Sequence, residues 1–277
     1  MIESPPMRIS FITANYVARE VSYALRPFNW GAADRATVEA FHGPQFDRKF
    51  DEVCGLVREA GFSNIDVWVA HLNPFVASPS MVDAAVAILQ RHGLRVVAYT
   101  GGLGRPDLTR ADAEKVYQTA KAIGAPVLGV GLNPSNARLA YDLGKEYGIR
   151  YAIENHPERN PRELLARIGD YGEVIGVTQD TGFWGEFGYD AVKATHELKD
   201  HLFHMHLKQV RQTPDGWVTC AYDEGVVDIP GVVNALEEIG YQGAVSVEHE
   251  PAYADPLPTV VHSAKLLRDW LGSAGEG

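Results

Sequence analysis

Residues 150–180 of the chain, RYAIENHPERNPRELLARIGDYGEVIGVTQD, contain one complete strand–helix–strand repeat. The nearly continuous apolar run of RYAIENH is typical of a strand that is buried on both faces. PRELLARIGDYG then spaces its apolar residues three and four positions apart, which indicates an amphipathic helix. VIGVTQD returns to a strand pattern after a short connection. Two strands joined through a helix predict a parallel βαβ unit and therefore an α/β protein.

The same alternation occurs about eight times along the chain. The predicted strands are RISFITA (8–14), NIDVWVA (64–70), LRVVAYT (94–100), APVLGVG (125–131), RYAIENH (150–156), VIGVTQD (174–180), LFHMHLK (202–208) and AVSVEHE (244–250). Left-handed C-caps are expected where glycine ends a predicted helix, at Gly61, Gly93, Gly124, Gly148, Gly172 and Gly240. Eight such units predict one (β/α)8 TIM barrel, with residues 1–277 as a single domain. An open doubly wound sheet is the alternative, but no glycine-rich phosphate loop follows any strand.

The acidic composition narrows the classes of ligand. A net charge of −11 opposes binding to the phosphate backbone of nucleic acid, which requires clustered Lys and Arg. Cys54 and Cys220 lie far apart without metal-type spacing, so a reducing compartment is expected. The N-terminal segment lacks a basic stretch followed by an apolar one, and no apolar run reaches membrane-spanning length. We therefore expect a cytoplasmic protein that binds neither nucleic acid nor a membrane.

Metal-binding residue types stand at the ends of the last four predicted strands. These residues are Glu154, Asp180, His206 and Glu248. Because the carboxyl ends of barrel strands meet at one mouth, residues far apart in sequence are expected to become neighbours there. Mixed carboxylate and imidazole ligands predict one divalent metal ion, with Mn²⁺ favoured and Mg²⁺, Co²⁺, Fe²⁺ or Zn²⁺ as alternatives.

Strand alternation adds further polar residues to the same mouth. His156 follows Glu154 by two positions, Lys208 follows His206, and Glu250 follows Glu248, so each pair is expected to share a face. Several carboxylates in one cavity repel one another unless they are protonated or bind a cation. The predicted metal ion removes this repulsion.

The strings AIENHP, TQDTG, HMHLK and SVEHEP, in this order, resemble the xylose isomerase-like TIM-barrel family of sugar and sugar-phosphate isomerases and epimerases. The resemblance extends from Arg8 to the final predicted helix near Leu271. It implies that one divalent metal ion is bound by Glu154, Asp180, His206 and Glu248. It also implies that Glu154 and Glu248 flank the substrate and move its proton, as in the epimerase branch.

The chemistry of such a reaction favours the same pair of carboxylates. Isomerising or epimerising a sugar next to its carbonyl requires a proton to leave one carbon and to return to a neighbouring carbon or to the opposite face. Glu154 and Glu248 are therefore predicted to be the paired acid and base. The alternative is that both are ligands only and that His156 is the base, a hydrogen-bond partner of the substrate or a structural residue.

Four residues are predicted to contact the substrate: His71, Lys208, Trp184 and Glu250. Each has a structural alternative. His71 could cap a helix, and Lys208 could pair with Glu250 instead of binding an oxyanion. Trp184, with Phe183 and Phe187, is predicted to form an apolar wall for a sugar, or else to pack at the barrel rim. His204 is predicted to be a buried core histidine.

Two long connections, residues 15–45 and 209–228, are expected on the same face as the predicted site. Long loops at that face usually cover a site. Their aromatic residues are therefore predicted either to form a lid or to fill the barrel rim and a subunit contact.

The leading functional hypothesis is a metal-dependent sugar isomerase or epimerase that acts on a small-molecule sugar or sugar derivative. A lyase that eliminates from a keto sugar, such as a C-glycoside deglycosidase or an inosose dehydratase, is the second. The resemblance implies a small partner subunit only for the deglycosidase, and a homo-oligomer is compatible with any of these. An apurinic endonuclease-like phosphodiesterase and a non-catalytic sugar-binding protein are remote alternatives, because the chain is acidic and the two carboxylates suit proton transfer.

Overall fold

Eight parallel strands form a closed barrel in the computed structural model, which describes residues 7–106 and 108–273. The barrel strands are β1 (Arg8–Ile12), β2 (Asn64–Trp68), β3 (Arg95–Thr100), β4 (Val127–Leu128), β5 (Arg150–Glu154), β6 (Ile175–Asp180), β7 (Leu202–Thr213) and β9 (Ala244–Glu248). Consecutive strands pair from β1 to β7, and β9 joins β7 to β1. The predicted (β/α)8 barrel is therefore confirmed, and the open sheet is excluded.

Helices surround the barrel and cover its strands. Within the described ranges they are α1 (Trp30–Phe41), α2 (Phe46–Glu59), α3 (Pro79–Arg91), α4 (Arg110–Ala122), α5 (Ala137–Tyr147), α6 (Pro161–Ile168), α7 (Thr181–Phe187), α8 (Ala191–Leu198), α9 (Ile229–Glu238) and α10 (Leu257–Ser273). Side-chain oxygens cap several helix starts, as at Ser78, Thr109 and Asn160. Their apolar faces bury Val, Ile and Leu against the outer side of the strands, which forms the main core.

One predicted helix end was wrong. Helix α6 stops at Ile168, and Gly169 takes the positive φ of 52° there. Gly172 has a φ of −58° and ends a short 3₁₀ turn instead. The other five predicted glycines do have positive φ, as expected for left-handed C-caps.

Both long connections contain secondary structure that the sequence analysis does not predict. Helix α1 lies in the first, and it begins at Trp30 after the Asn29 cap. In the second, β7 continues past the barrel and pairs with the antiparallel strand β8 (Gly216–Cys220). Both lie beyond the carboxyl ends of the barrel strands, so they are positioned at the predicted mouth.

The interior of the barrel is more polar than its outer side. Inward positions on neighbouring strands carry Ser10, Asp66, Thr178, His204 and Ser246, all of which are buried. Ser10, Asp66, His204 and Ser246 form a chain of hydrogen bonds to one another. Among the helices of the described chain, none combines the length and the apolar character that crossing a membrane requires.

Candidate metal centre

A cavity of about 660 Å³ opens at the carboxyl ends of the barrel strands. It is lined by Ala14, Trp30, Asp34, Trp68, Val69, Thr100, Gly101, Gly102, Val130, Glu154, His156, Phe183, Glu186, His206, Lys208, Thr219, Glu248 and Glu250. The aromatic residues form part of the wall, and the carboxylates, His206 and Lys208 provide its charged groups. Helix α1 and strand β8 contribute Trp30, Asp34 and Thr219, so both long connections reach this cavity.

Three of the predicted metal ligands meet in this cavity. Glu154, His206 and Glu248 each offer a ligand atom within 4.8 Å of the other two. His206 Nδ1 lies 2.6 Å from Glu154 Oε1 and 3.4 Å from Glu248 Oε2. The three residues belong to β5, β7 and β9. Their side chains meet because each residue stands at an inward position of its strand near the barrel mouth.

The surroundings of His206 fit a cation. Its second ring nitrogen, Nε2, lies 3.2 Å from Asp66 Oδ2, so carboxylate oxygens face both nitrogens of one buried ring. Without an ion, burial would lower the pKa of His206, but the carboxylates of Glu248, Asp66 and Glu154 raise it well above its usual value, so the ring itself is the cation there. A neutral imidazole has only one N–H and leaves Nδ1 free to bind an ion. Glu248 Oε2 is buried without a hydrogen-bond partner. A divalent ion bound by Nδ1 and by the oxygens of Glu154 and Glu248 would satisfy these three groups. It would leave the N–H on Nε2 to donate to Asp66.

Asp180 lies close to this group but has other partners. Its Oδ1 accepts hydrogen bonds from the backbone N–H of Gly182 at 2.7 Å and of Phe183 at 3.3 Å, which caps α7. Its Oδ2 lies 3.0 Å from Lys208 Nζ and has no partner with hydrogen-bond geometry. The three-residue group does not include Asp180. Its role as a fourth ligand therefore stays a prediction, supported by the unpartnered oxygen.

Lys208 bridges the carboxylates of the cavity. Its ammonium lies 3.0 Å from Asp180, 3.2 Å from Glu248 and 3.1 Å from Glu250. Burial would lower the pKa of Lys208, but these three carboxylates raise it well above its usual value, so the side chain is a cation. Lys208 therefore pairs with Glu250, which was the predicted alternative to binding an oxyanion. It also pairs with Asp180 and Glu248.

The two candidate acid/base residues have pKa values displaced in opposite directions. Burial would raise the pKa of Glu154, but the hydrogen bond and charge of His206 lower it. Burial raises the pKa of Glu248 well above its usual value, since Lys208 and His206 offset it only in part and Glu250 adds repulsion. A dication bound between the two carboxyl groups would favour the ionised form of both.

His156 is exposed and lines the cavity just beyond the end of β5. Its ring stacks on Phe183, with the ring centroids 4.6 Å apart. The ring is thus held at the wall of the cavity, where it can contact a bound molecule.

Two of the predicted substrate contacts, His71 and Trp184, lie outside the cavity lining. His71 is 1% exposed, its Nδ1 lies 3.1 Å from Thr13 Oγ1, and it packs edge-on against Phe41 and Trp68. Trp184 is completely buried in the main core. The segment that contains Trp184 folds as helix α7, so Trp184 points to the core while its neighbour Phe183 faces the cavity. We therefore assign the apolar wall to Phe183.

Asp66, which is completely buried below the cavity, is not among the site residues predicted from sequence. Asp34 and Glu186, which reach the lining from α1 and α7, are missing from that set as well. The sequence alone could have pointed to Asp66, because a carboxylate inside the apolar strand NIDVWVA is expected to be buried and to need partners within the barrel. The others belong to helices in segments that the sequence analysis treats as loops.

Comparison with known proteins agrees with the barrel fold. A family model described as xylose isomerase-like TIM barrel matches residues 54–270. A 2-oxo-tetronate isomerase from Haemophilus influenzae is 27% identical over 203 residues, which cover 60% of this chain and 76% of that protein. An inosose dehydratase from Geobacillus thermodenitrificans is 24% identical over 47% of this chain and 51% of its own. A xylose isomerase-like TIM barrel protein from Mycobacterium smegmatis, solved in complex with magnesium, is 16% identical, with a TM-score of 0.69 and 97% of each chain covered.

Proposed function

Because the chain belongs to the xylose isomerase-like TIM barrel family, we propose that it is a divalent-metal-dependent enzyme that isomerises or epimerises a sugar. The reaction is proton transfer next to the sugar carbonyl. The isomerase and dehydratase among its relatives support an enzyme.

The observation that carries this proposal is the arrangement of Glu154 and Glu248 about one histidine ring. Both carboxylates approach His206 Nδ1 at the wall of the cavity, at 2.6 and 3.4 Å. A substrate above this group would have two carboxyl groups within reach. Such a pair can take a proton from one carbon and return it to another carbon or face.

We assign each step to groups of this chain. Glu154 removes the proton from the carbon next to the carbonyl, and Glu248, on the other carboxylate contact of His206 Nδ1, returns a proton to the resulting enediolate. A divalent ion held by Glu154, His206 and Glu248, with Asp180 as fourth ligand, would supply a Lewis acid for the substrate oxygens. The magnesium in the Mycobacterium smegmatis protein supports a divalent ion here, and Mn²⁺ is our preferred one.

Aromatic side chains suit the less polar face of a sugar. Phe183 and Trp68 line the cavity, and Trp30 packs edge-on against Trp68 with the ring centroids 5.2 Å apart. Aromatic faces contact the C–H groups of a sugar while its hydroxyls remain free for polar partners. We assign Glu250 and His156 as hydrogen-bonding partners of those hydroxyls.

The charges of the lining favour an uncharged substrate. Among the described lining residues, the carboxylates are Asp34, Glu154, Glu186, Glu248 and Glu250, and Lys208 is the single lysine or arginine. Lys208 is already paired with three carboxylates, so it offers little to a substrate phosphate. Even a bound dication leaves this excess of negative charge incompletely neutralised. We therefore propose an unphosphorylated ketose or keto sugar as the substrate.

An assay with paired substrates tests this proposal. Chelator-treated protein should be inactive on free ketoses, and added Mn²⁺ should restore formation of an isomer or epimer, measured by NMR of the sugar mixture. The matching ketose phosphates should react at least tenfold less efficiently in kcat/KM. A clear preference for the phosphates would contradict the substrate class, and activity that is independent of metal would contradict the reaction.

A lyase is the second candidate, and the exposed, stacked His156 favours it together with the inosose dehydratase relative. After proton removal next to the carbonyl, a leaving group on the next carbon would depart with a proton from His156. The same protein incubated with a keto-inositol and with a 3-keto glycoside distinguishes the two. Release of water or of the aglycone without an epimerised ketose would support the lyase and overturn our preference.

A further inference from the structure

Asp66 lies beneath the metal centre and contacts four side chains. Its Oδ2 lies 2.9 Å from His204 Nε2, 3.2 Å from His206 Nε2 and 3.1 Å from Ser246 Oγ. Its Oδ1 accepts a hydrogen bond of 2.7 Å from Thr100 Oγ1. Asp66 is 0% exposed, so protein groups supply its partners. A carboxylate that is ionised in such a place must receive donors from all sides.

An ionised carboxylate accepts hydrogen bonds and donates none. The ring nitrogen of His206 that faces Asp66 must therefore carry its hydrogen, and this nitrogen is Nε2. In a neutral ring the other nitrogen, Nδ1, then has a free lone pair. Nδ1 is the atom that faces Glu154 and Glu248, at 2.6 and 3.4 Å.

We propose that Asp66 is a positioning residue of the metal centre, which fixes His206 in the tautomer that presents the Nδ1 lone pair to the ion. This inference rests on the metal site of the proposed function. Asp66 itself is on the far side of the ring from Glu154, so it acts through His206. Ligand histidines in metalloproteins commonly have such a partner on their second nitrogen, and its loss costs about 10–100-fold in metal affinity.

His204 gives independent support for the role of Asp66. Its Nε2 also faces Asp66 Oδ2, while its buried Nδ1 has no partner. Asp66 therefore accepts from two rings, and both rings are held with the hydrogen on Nε2. A carboxylate on β2 thus fixes the orientation of two histidines on β7 from across the barrel.

The tautomer can be observed directly in the wild-type protein. Long-range ¹H–¹⁵N correlation spectra of the Zn²⁺-loaded protein should show His206 with a protonated Nε2 and a metal-bound Nδ1. A spectrum with the hydrogen on Nδ1 and the metal on Nε2 would overturn the inference. This measurement needs no substitution, so a variant that fails to fold does not affect it.

Substitutions then test whether Asp66 causes this arrangement. Asp66→Ala removes the acceptor and should weaken Mn²⁺ binding about 10–100-fold in calorimetric titration. Asp66→Asn can still accept from both rings through its amide oxygen, with its amide nitrogen towards Thr100, and should weaken binding less. The control Ser246→Ala removes another hydrogen bond to Asp66 but leaves its contact with His206 intact, and it should bind Mn²⁺ nearly as the wild type does.

The outcomes separate this inference from the proposed function. If the wild type binds Mn²⁺ and Asp66→Ala binds it equally well, the inference alone is overturned. If Ser246→Ala weakens binding as much as Asp66→Ala, general damage to the barrel interior explains the loss and the inference is also overturned. If the wild-type protein binds neither Mn²⁺ nor Zn²⁺, the metal centre of the proposed function is overturned with it.

Discussion

Asp180 connects the end of β6 to the start of α7 through its side chain. One carboxylate oxygen caps the helix, and the other faces Lys208 without hydrogen-bond geometry. The residue can therefore serve as a helix cap with one oxygen and as a metal ligand with the other. These two roles are separable, because Asn caps a helix about as well as Asp.

We expect Asp180→Asn to keep the cap of α7 but to lower the free energy of unfolding of the metal-free protein by about 1–3 kcal/mol, because it removes one carboxylate from the buried Lys208 ammonium. Mn²⁺ affinity should fall by about tenfold or more, since losing a ligand should lower metal affinity at least as much as losing a residue that orients a ligand. The control is Asp190→Asn, which changes the equivalent cap of α8 outside the cavity. Denaturant unfolding and calorimetric titration measure the two effects. Unchanged Mn²⁺ affinity in Asp180→Asn would remove Asp180 from the ligand set.

His71 should make the protein sensitive to acid. Burial lowers the pKa of His71 from 6.5 to about 3, with smaller contributions from Arg19, His42 and Lys49. As pH falls below 6.5, the unfolded chain protonates this residue and the folded protein does not. Its contribution to stability is therefore complete above that pH and is lost on acidification, by about 2 kcal/mol at pH 5.

The comparison of wild type with His71→Gln isolates this effect. Both proteins are freed of metal with a chelator, and their free energies of unfolding are measured in denaturant at pH 7 and pH 5. The loss between the two pH values should be smaller in the variant by about 2 kcal/mol. Equal losses in both proteins would show that His71 does not carry this acid sensitivity.

At the scale of elements, β4 depends on one backbone conformation. Gly129 directly follows β4 and has a φ of 139°, and an added Cβ would lie 2.6 Å from the carbonyl oxygen of Ala152. The next residue, Val130, accepts a hydrogen bond of 2.9 Å from the backbone N–H of Glu154. The close approach of Gly129 to Ala152 thus helps to hold the backbone of Glu154, a candidate catalytic residue, in place.

Gly129→Ala should therefore lower the free energy of unfolding by about 3 kcal/mol or more. Gly131→Ala is the matched control, because the atom nearest to its added Cβ would be Gly104 Cα, at an ordinary van der Waals distance of 3.8 Å. The control should change stability by less than about 1 kcal/mol. Urea unfolding monitored by circular dichroism measures both. Equal stability of the two variants would contradict the argument from close approach.

Helix α7 shows why sequence patterns locate some elements and miss others. The strands were predictable because their apolar runs are continuous and glycines separate them from the helices. The segment TGFWGEF contains two glycines and only seven residues, so it has no recognisable helical period, yet Asp180 caps it as a helix. The predicted aromatic wall consequently included Trp184, which the helix turns into the core.

At the scale of the molecule, the barrel topology explains which parts of the site were predictable. Strand order alone predicts that residues at the strand ends meet at one mouth, and the structure brings Glu154, His206 and Glu248 together there. Asp66 was not predictable in this way, because its role depends on contacts across the barrel interior rather than on a strand end. His71 has the residue type of a substrate contact, but the local 3₁₀ turn buries it.

The cavity walls combine contributions that are far apart along the chain. Helix α1 supplies Trp30 and Asp34, which are four residues apart and therefore lie on one helical face. Strand β8 supplies Thr219 from the second long connection. The candidate metal ligands come from the barrel strands and the outer walls from the extended connections. Under the proposed function, substrate selection can therefore change through the connections without altering the reaction at the strand ends.

The central claim is that Glu154 and Glu248 transfer a proton next to a sugar carbonyl, and solvent deuterium incorporation tests it most directly. The Mn²⁺-loaded protein is incubated with an unphosphorylated ketose in D₂O, and NMR or mass spectrometry measures deuterium at the carbon next to the carbonyl. We predict incorporation by the wild type and a rate at least about 100-fold lower in Glu154→Gln and in Glu248→Gln, at confirmed metal occupancy. Undiminished incorporation in both variants, or none by the wild type with any ketose, would contradict the claim.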